Sequence, residues 1–187
     1  SGGKNEAVEM LGASSLDMYG GKITGSAIGV EFSVSGAEFN MHDGVITGNS
    51  GCGVSMTTGT FKMSGGKITG NDGAGVKLWG TFEMTGGEIT GNKGGGVNVN
   101  TNTDSYNFKV SGADKVTGNE KNNVYLPQGK FFIASSLTEG AKIGVTTEKI
   151  PSSTSTVKIA SAFSSDYIES DMDGYQVQYD DNEGAMV

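Results

Sequence analysis

Residues 61–71 read FKMSGGKITGN, and the same phrase returns at 82–92 as FEMTGGEITGN. Outward from this pair it extends without gaps. GGKITGS (20–26), DGVITGN (43–49) and ADKVTGN (113–119) join it, placing Ile23, Ile46, Ile68, Ile89 and Val116 in one column at separations of 23, 22, 21 and 27 residues. Each phrase opens on an apolar-x-apolar pair: Leu16/Met18, Phe39/Met41, Phe61/Met63, Phe82/Met84 and Phe108/Val110, with Phe131/Ile133 continuing the series. A third column stands earlier in every unit, as Val8/Met10, Val30/Phe32, Val54/Met56, Val76/Leu78, Val97/Val99 and Val124/Leu126.

Alternation of period two marks a strand with one apolar face. Strands this short, bounded by glycine-rich turns, cannot bury that face alone and must stack on their neighbours. Three strands and three turns in about 22 residues make one coil of a parallel β-helix, each strand pairing with its counterpart one rung along at roughly 4.8 Å. The repeat therefore predicts an all-β fold, a right-handed single-stranded parallel β-helix of six to seven rungs, the hand following the crossover rule. Residues 1–136 hold the repeats. Residues 137–187 read as one irregular last rung (Ile143/Val145 with Val157/Ile159) and a C-terminal β cap in which 175–179 alternate again, all within one continuous domain.

Outward positions agree with this register. The column between Phe and Met reads Lys62, Glu83, Lys109, and the column before Ile reads Lys67, Glu88, Lys115, so charges alternate where like charges would repel. Asn49, Asn71, Asn92 and Asn119 share one corner, where asparagine tolerates a left-handed backbone and stacked amides can bond from rung to rung; Ser26 breaks that ladder at one end.

Composition narrows the partners. The 187 residues include 32 glycines, and the 13 basic residues, all lysine, stand against 21 acidic ones for a net charge of −8. Such a balance argues against nucleic acid and anionic membrane surfaces, whose binders need a basic stripe. No apolar run approaches the roughly 18 residues of a membrane span, so no membrane insertion is expected of this stretch. The chain opens at Ser1 with no signal segment and reads as a mature form or an excised piece. Its first rung starts almost at once, which predicts self-association through an uncapped N-terminal edge.

No grouping with catalytic or metal-ligating spacing stands out. Glu9 and Glu31 share a column, as a paired-carboxylate hydrolase would require, but on an open face that gives no cause for a raised pKa. His42 and Cys52, a possible base and nucleophile, fall after different strands, and Cys52 sits in a small column expected to be buried. Asp171, Asp173, Asp180, Asp181 and Glu183 suggest a calcium loop, yet the twelfth position counted from Asp171 is Asn182, not Glu; a solvated turn is the simpler reading. No cofactor is implied. A ligand finds better support at the turn that expands between Val99 and Phe108. There Trp79, the single tryptophan, and Tyr106 would lie on neighbouring rungs of one edge beside Asn102 and Asp104, a shallow platform for a sugar ring on a rigid scaffold.

The repeat resembles that of bacterial and archaeal adhesin-like surface proteins with right-handed parallel β-helix repeats of the form F-x-M-x-G-G-x-I-x-G-N followed by G-G-G-V-x-V. FKMSGGKITGN and FEMTGGEITGN carry the match, followed by GAGVKL (73–78) and GGGVNV (94–99), over residues 7–133. The resemblance implies a secreted or cell-surface, non-catalytic bacterial protein that displays a contact surface toward polysaccharide or a host glycan or protein. A polysaccharide lyase or glycoside hydrolase fragment is the enzymatic alternative, and a passive stalk the structural one.

Overall fold

The computed structural model describes residues 6–102, 104, 107–161, 166–180 and 184–187. Every regular element among them, save one isolated 3-10 position at Asn107, is a strand, turn or bridge, and the strands wind into a parallel solenoid of about seven turns. Three sheets run its length. One stacks Glu6–Met10, Ile28–Phe32, Val54–Met56, Val76–Leu78, Val97–Val99 and Val124–Leu126 in register, with the leading valines in file. A second aligns Phe39, Phe61, Phe82 and Phe108; a third aligns Ile23, Ile46, Ile68, Ile89, Val116, Ile143 and Ile168.

Like-on-like stacking makes the core. The rings of Phe39, Phe61, Phe82 and Phe108 are nearly parallel, with centroids 5.0, 4.7 and 5.4 Å apart, close to the rung spacing that imposes the stack. All four are buried, as are the methionines two residues on, Met41, Met63 and Met84. A chain of modest apolar content thus buries what it has in three continuous files.

The aromatic file continues through Phe132 and Ala134, not Phe131 and Ile133. Ile133 lies opposite outward-facing Lys109, and the Phe132 ring packs on Phe108 at 5.4 Å with a 43° tilt. A one-residue slip exchanges the two faces of a strand. The adjacent phenylalanines let either fill the file, and Phe131 is left half-buried, its ring under the Lys158 ammonium at 4.7 Å.

Outside, Lys109 pairs with Glu83 at 2.8 Å, and Glu88 takes both Lys67 (2.8 Å) and Lys115 (3.2 Å). These two lysines hold the Glu88 carboxyl below its usual range, through hydrogen bonds first. Lys62 turns instead to Glu38, at 2.8 Å.

The asparagine ladder is internal. Asn49, Asn71 and Asn92 are buried, and each Nδ2 donates to the next Oδ1 at 2.9–3.0 Å while the same oxygen also accepts the preceding asparagine's backbone N–H. The left-handed conformation belongs to the glycine before each asparagine (φ +64° at Gly48, +63° at Gly70, +66° at Gly91), which frees the asparagine to send its amide inward. Ser26 still joins through its backbone, donating to Asn49 Oδ1 at 3.2 Å.

Beyond Asn119 the ladder runs two members further than the repeat implies. Asn119 donates to Asn123 Oδ1 (3.0 Å), and Asn123 donates through Nδ2 and its backbone N–H to the two carboxylate oxygens of Asp171, at 2.7 and 2.8 Å. The next strand, Lys142–Thr147, passes from the isoleucine file to the valine file with no corner asparagine, pairing with both Lys115–Val116 and Val124–Leu126. Asn123 fills the missing place, and Asp171, expected in a solvated turn, closes the series.

Toward the C-terminus, Lys158–Ser161 pairs in parallel with Phe132–Leu137, and Gly184–Met186 runs antiparallel to both Lys158–Ser161 and Gln178–Asp180. Of the alternation expected at 175–179, only Gln178 and Tyr179 belong to a strand, and both are exposed. At the other end, Val8, Leu16 and Ile23 are half-buried, while Leu11 and Tyr19 are 73% exposed.

One buried charge site breaks the apolar pattern. Asp114 occupies a position that is glycine in the other repeats; it is fully buried, accepts the Ser111 N–H at 2.9 Å through Oδ2, and leaves Oδ1 without a partner. Burial pushes its pKa up to about 7, against a smaller downward pull from the Ser111 hydrogen bond. An acid raised in the folded state penalises folding once the unfolded chain ionises. Stability is therefore greatest below the ordinary aspartate range and falls as pH rises toward 7, the full penalty standing above it. Asp114→Asn keeps the Ser111 bond and removes the ionisation; it is expected to gain on the order of 2 kcal/mol over the parent at pH 8 and little at pH 4. Urea midpoints of both proteins across that range check it, and parallel pH profiles would refute it.

Candidate ligand groove

The outer face of the valine sheet carries a column that alternation makes visible once the register is fixed: Glu9, Glu31, Ser55, Lys77, Asn98, Tyr125 and Thr146 stand opposite one another on successive rungs. Its character changes along the axis, from carboxylates through Lys77 to an amide and a phenol. Lys77, Asn98 and Tyr125 form the floor of a groove of about 430 Å³.

Two turns wall it. On one side, Trp79 and Asn100 follow their strands in successive rungs, Trp79 N–H bonding Met56 O at 3.1 Å and Asn100 N–H bonding Leu78 O at 2.9 Å. Trp79 is half-buried, and the Lys77 ammonium sits 4.8 Å from its ring centroid. On the other side stand Lys121 and Asn122. Asn122 reaches over Gly95, where a Cβ would come within 2.5 Å of its Oδ1, so glycine there is a condition of this wall. Buried Oδ1 atoms of Asn98 and Asn122 have no hydrogen-bond partner.

Burial first, and then the Glu148 charge, raise the Tyr125 phenol above its usual pKa, keeping it a neutral donor and acceptor. The groove thus offers two aromatic faces, three amides and two ammonium groups. Among the described residues, no carboxylate, imidazole or thiol lines it. Such a set can stack, hydrogen-bond and attract; paired-carboxylate glycoside hydrolysis would need groups it does not hold.

Of the residues the sequence singles out, Trp79 lies in the groove. Asn102 and Asp104 are exposed outside it: Asn102 is tied to the wall by its N–H to Asn100 Oδ1 at 2.9 Å, and the Asp104 carbonyl accepts Asn107 N–H at 3.0 Å. Tyr106 lies outside the described residues. The second aromatic of the groove is Tyr125, which sequence reasoning passed over. Its signal in the sequence is the outward column that runs from Glu9 and Glu31 through Lys77 and Asn98 to Tyr125.

The other candidate groups separate. His42 stacks on Tyr19 (4.6 Å, 9°), its Nδ1 lies 3.1 Å from Ser64 Oγ and its Nε2 3.5 Å from Asp17, on an exposed face; Cys52 is not among its contacts. Cys52, flanked by Gly51 and Gly53, is half-buried and not enclosed as its column implied. Glu9 and Glu31 do stand opposite each other, and Glu31 is raised above the ordinary carboxylate range, against expectation, chiefly by burial and then by the charge and hydrogen bond of Glu6. Of the acidic C-terminal cluster, Asp181 and Glu183 lie outside the described residues, and Asp171 is committed to the ladder. Comparison of the chain with protein families, with curated proteins and with solved structures gives no match.

Proposed function

We propose that this chain is the display region of a secreted or cell-surface bacterial protein of adhesin-like type, and that it holds a glycan in the Trp79 groove without cleaving it. The observation that carries the reading is the pairing of Trp79 and Tyr125 with amide side chains on rungs whose backbone is fixed by continuous parallel ladders. Aromatic faces take the apolar face of a sugar ring while amides meet its hydroxyls, and a rigid scaffold lowers the ordering cost of binding. The adhesin-like assignment itself rests on the repeat, F-x-M-x-G-G-x-I-x-G-N with its G-x-G-V partner.

Screening the protein on a glycan array should yield a family of bound oligosaccharides, and Trp79→Ala should weaken them about tenfold or more with unchanged circular dichroism. A stalk would bind nothing. Release of reducing ends or unsaturated sugars from any bound oligosaccharide would replace this reading with the hydrolase or lyase one.

A further inference from the structure

The groove has a sign. Lys62, Lys67, Lys93, Lys109, Lys115 and Lys142 each stand within 2.7–3.2 Å of a carboxylate. Lys22, Lys77, Lys121, Lys130, Lys149 and Lys158 have no carboxylate within 4.0 Å among the described residues, and of these Lys77 and Lys121 line the groove. On a chain of net charge −8, a cleft with two ammonium groups and no acid in its lining is an island of opposite sign. A neutral ligand takes hydrogen bonds from these ammonium groups but not the charge attraction that an anionic one adds.

The island is also short. From Lys77 to Tyr125 is two rung steps, about 10 Å. Beyond Lys77 the same column passes through Ser55 to Glu31 and Glu9, with Glu6 beside them. Past Tyr125 stands Glu148, whose charge raises the phenol and which is held by the Gln128 N–H at 2.8 Å. Carboxylates thus flank both ends within about a Debye length of the lysines. A polyanion lying along this face would meet like charge in either direction.

Resting on the glycan reading above, we propose that the groove selects a single carboxylate-bearing sugar, set in or at the end of an otherwise neutral oligosaccharide, its ring against Trp79 and its acid group toward Lys77 and Lys121. Neutral glycans lose the attraction of the lysines, and polyuronates are repelled by the flanking glutamates.

The test uses the intact chain with four probes: a neutral oligosaccharide, the same one carrying one terminal uronic or sialic acid, the methyl ester of that acid, and a linear pentameric uronate. Titration calorimetry at 50 and 500 mM salt should rank the mono-acid first, about tenfold or more above its ester, with the margin shrinking at high salt. In a Lys77→Met, Lys121→Met double variant the acid should lose more affinity than the ester, so that the two converge. Equal binding of acid and ester, with both lost in Trp79→Ala, would overturn the charge selection and leave the glycan reading standing. Tighter binding of the pentauronate would overturn the single-acid limit. Binding of none of the four, nor of any array glycan, would remove the glycan reading and this inference with it.

Discussion

Phe82→Ala is expected to lower the stability of the fold by about 4 kcal/mol, the middle of the range for a buried aromatic truncated to alanine. The ring is fully buried and stacked on both sides, 4.7 Å from Phe61 and 5.4 Å from Phe108. Its removal leaves a void that neither neighbour can enter, because each is held at its own rung by strand pairing above and below. In a solenoid the loss falls on two nearest-neighbour interfaces at once, so the urea transition should broaden or divide as the rungs before and after residue 82 lose their coupling. Phe82→Leu refills part of the space and should recover about half of the loss. A loss below about 1 kcal/mol would mean that the ring is not enclosed in the stack.

Asn92→Ala is expected to cost about as much, by a different route. Asn92 Oδ1 accepts both the backbone N–H and the Nδ2 of Asn71, at 3.2 and 2.9 Å, while its Nδ2 donates to Asn119 Oδ1 and Ile68 O, each at 3.0 Å. Alanine leaves buried donors on Asn71 with no acceptor and no route to water, at about 1–3 kcal/mol for each stranded group. Asn92→Asp is the informative companion. It keeps the acceptor for Asn71 but turns the joint with Asn119 into carboxylate against carbonyl, so it should not rescue at neutral pH. Thermal melts of the two variants beside an exposed control such as Asn102→Ala check the prediction, and a loss below 1 kcal/mol in Asn92→Ala would show that the amides are interchangeable with void.

Fold and register were legible because the repeat writes the same side chain at the same place on each rung. Ile23, Ile46, Ile68 and Ile89 need no structure to be aligned. Legibility ended where the columns stop repeating. Phe131 and Phe132 are equally good candidates for the aromatic file, and only pairing with Lys109 and Val110 decides between them. Asn123 and Asp171 could not be placed because the rung that should supply the next corner asparagine cuts the corner, so its role passes to residues 4 and 52 positions beyond Asn119. The candidate site was legible in part. Trp79 announces itself by being unique, but the groove is made by residues from three different rungs, Trp79, Asn98 and Tyr125, whose convergence is a property of the outward column and not of any local motif.

The amide series has a direction. Every link from Asn49 to Asn123 points its N–H groups toward the C-terminal end, so the small dipoles add as they do in a helix, and the positive pole arrives at Asp171. At every other joint one Oδ1 accepts both donors; the Asp171 carboxylate offers an oxygen to each and sets its negative charge against the positive pole. Length is therefore more readily changed from within than past that end. A unit duplicated between Asn71 and Asn92 inherits a matching joint on either side, whereas one appended past Asp171 meets a terminus already sealed by its own charge.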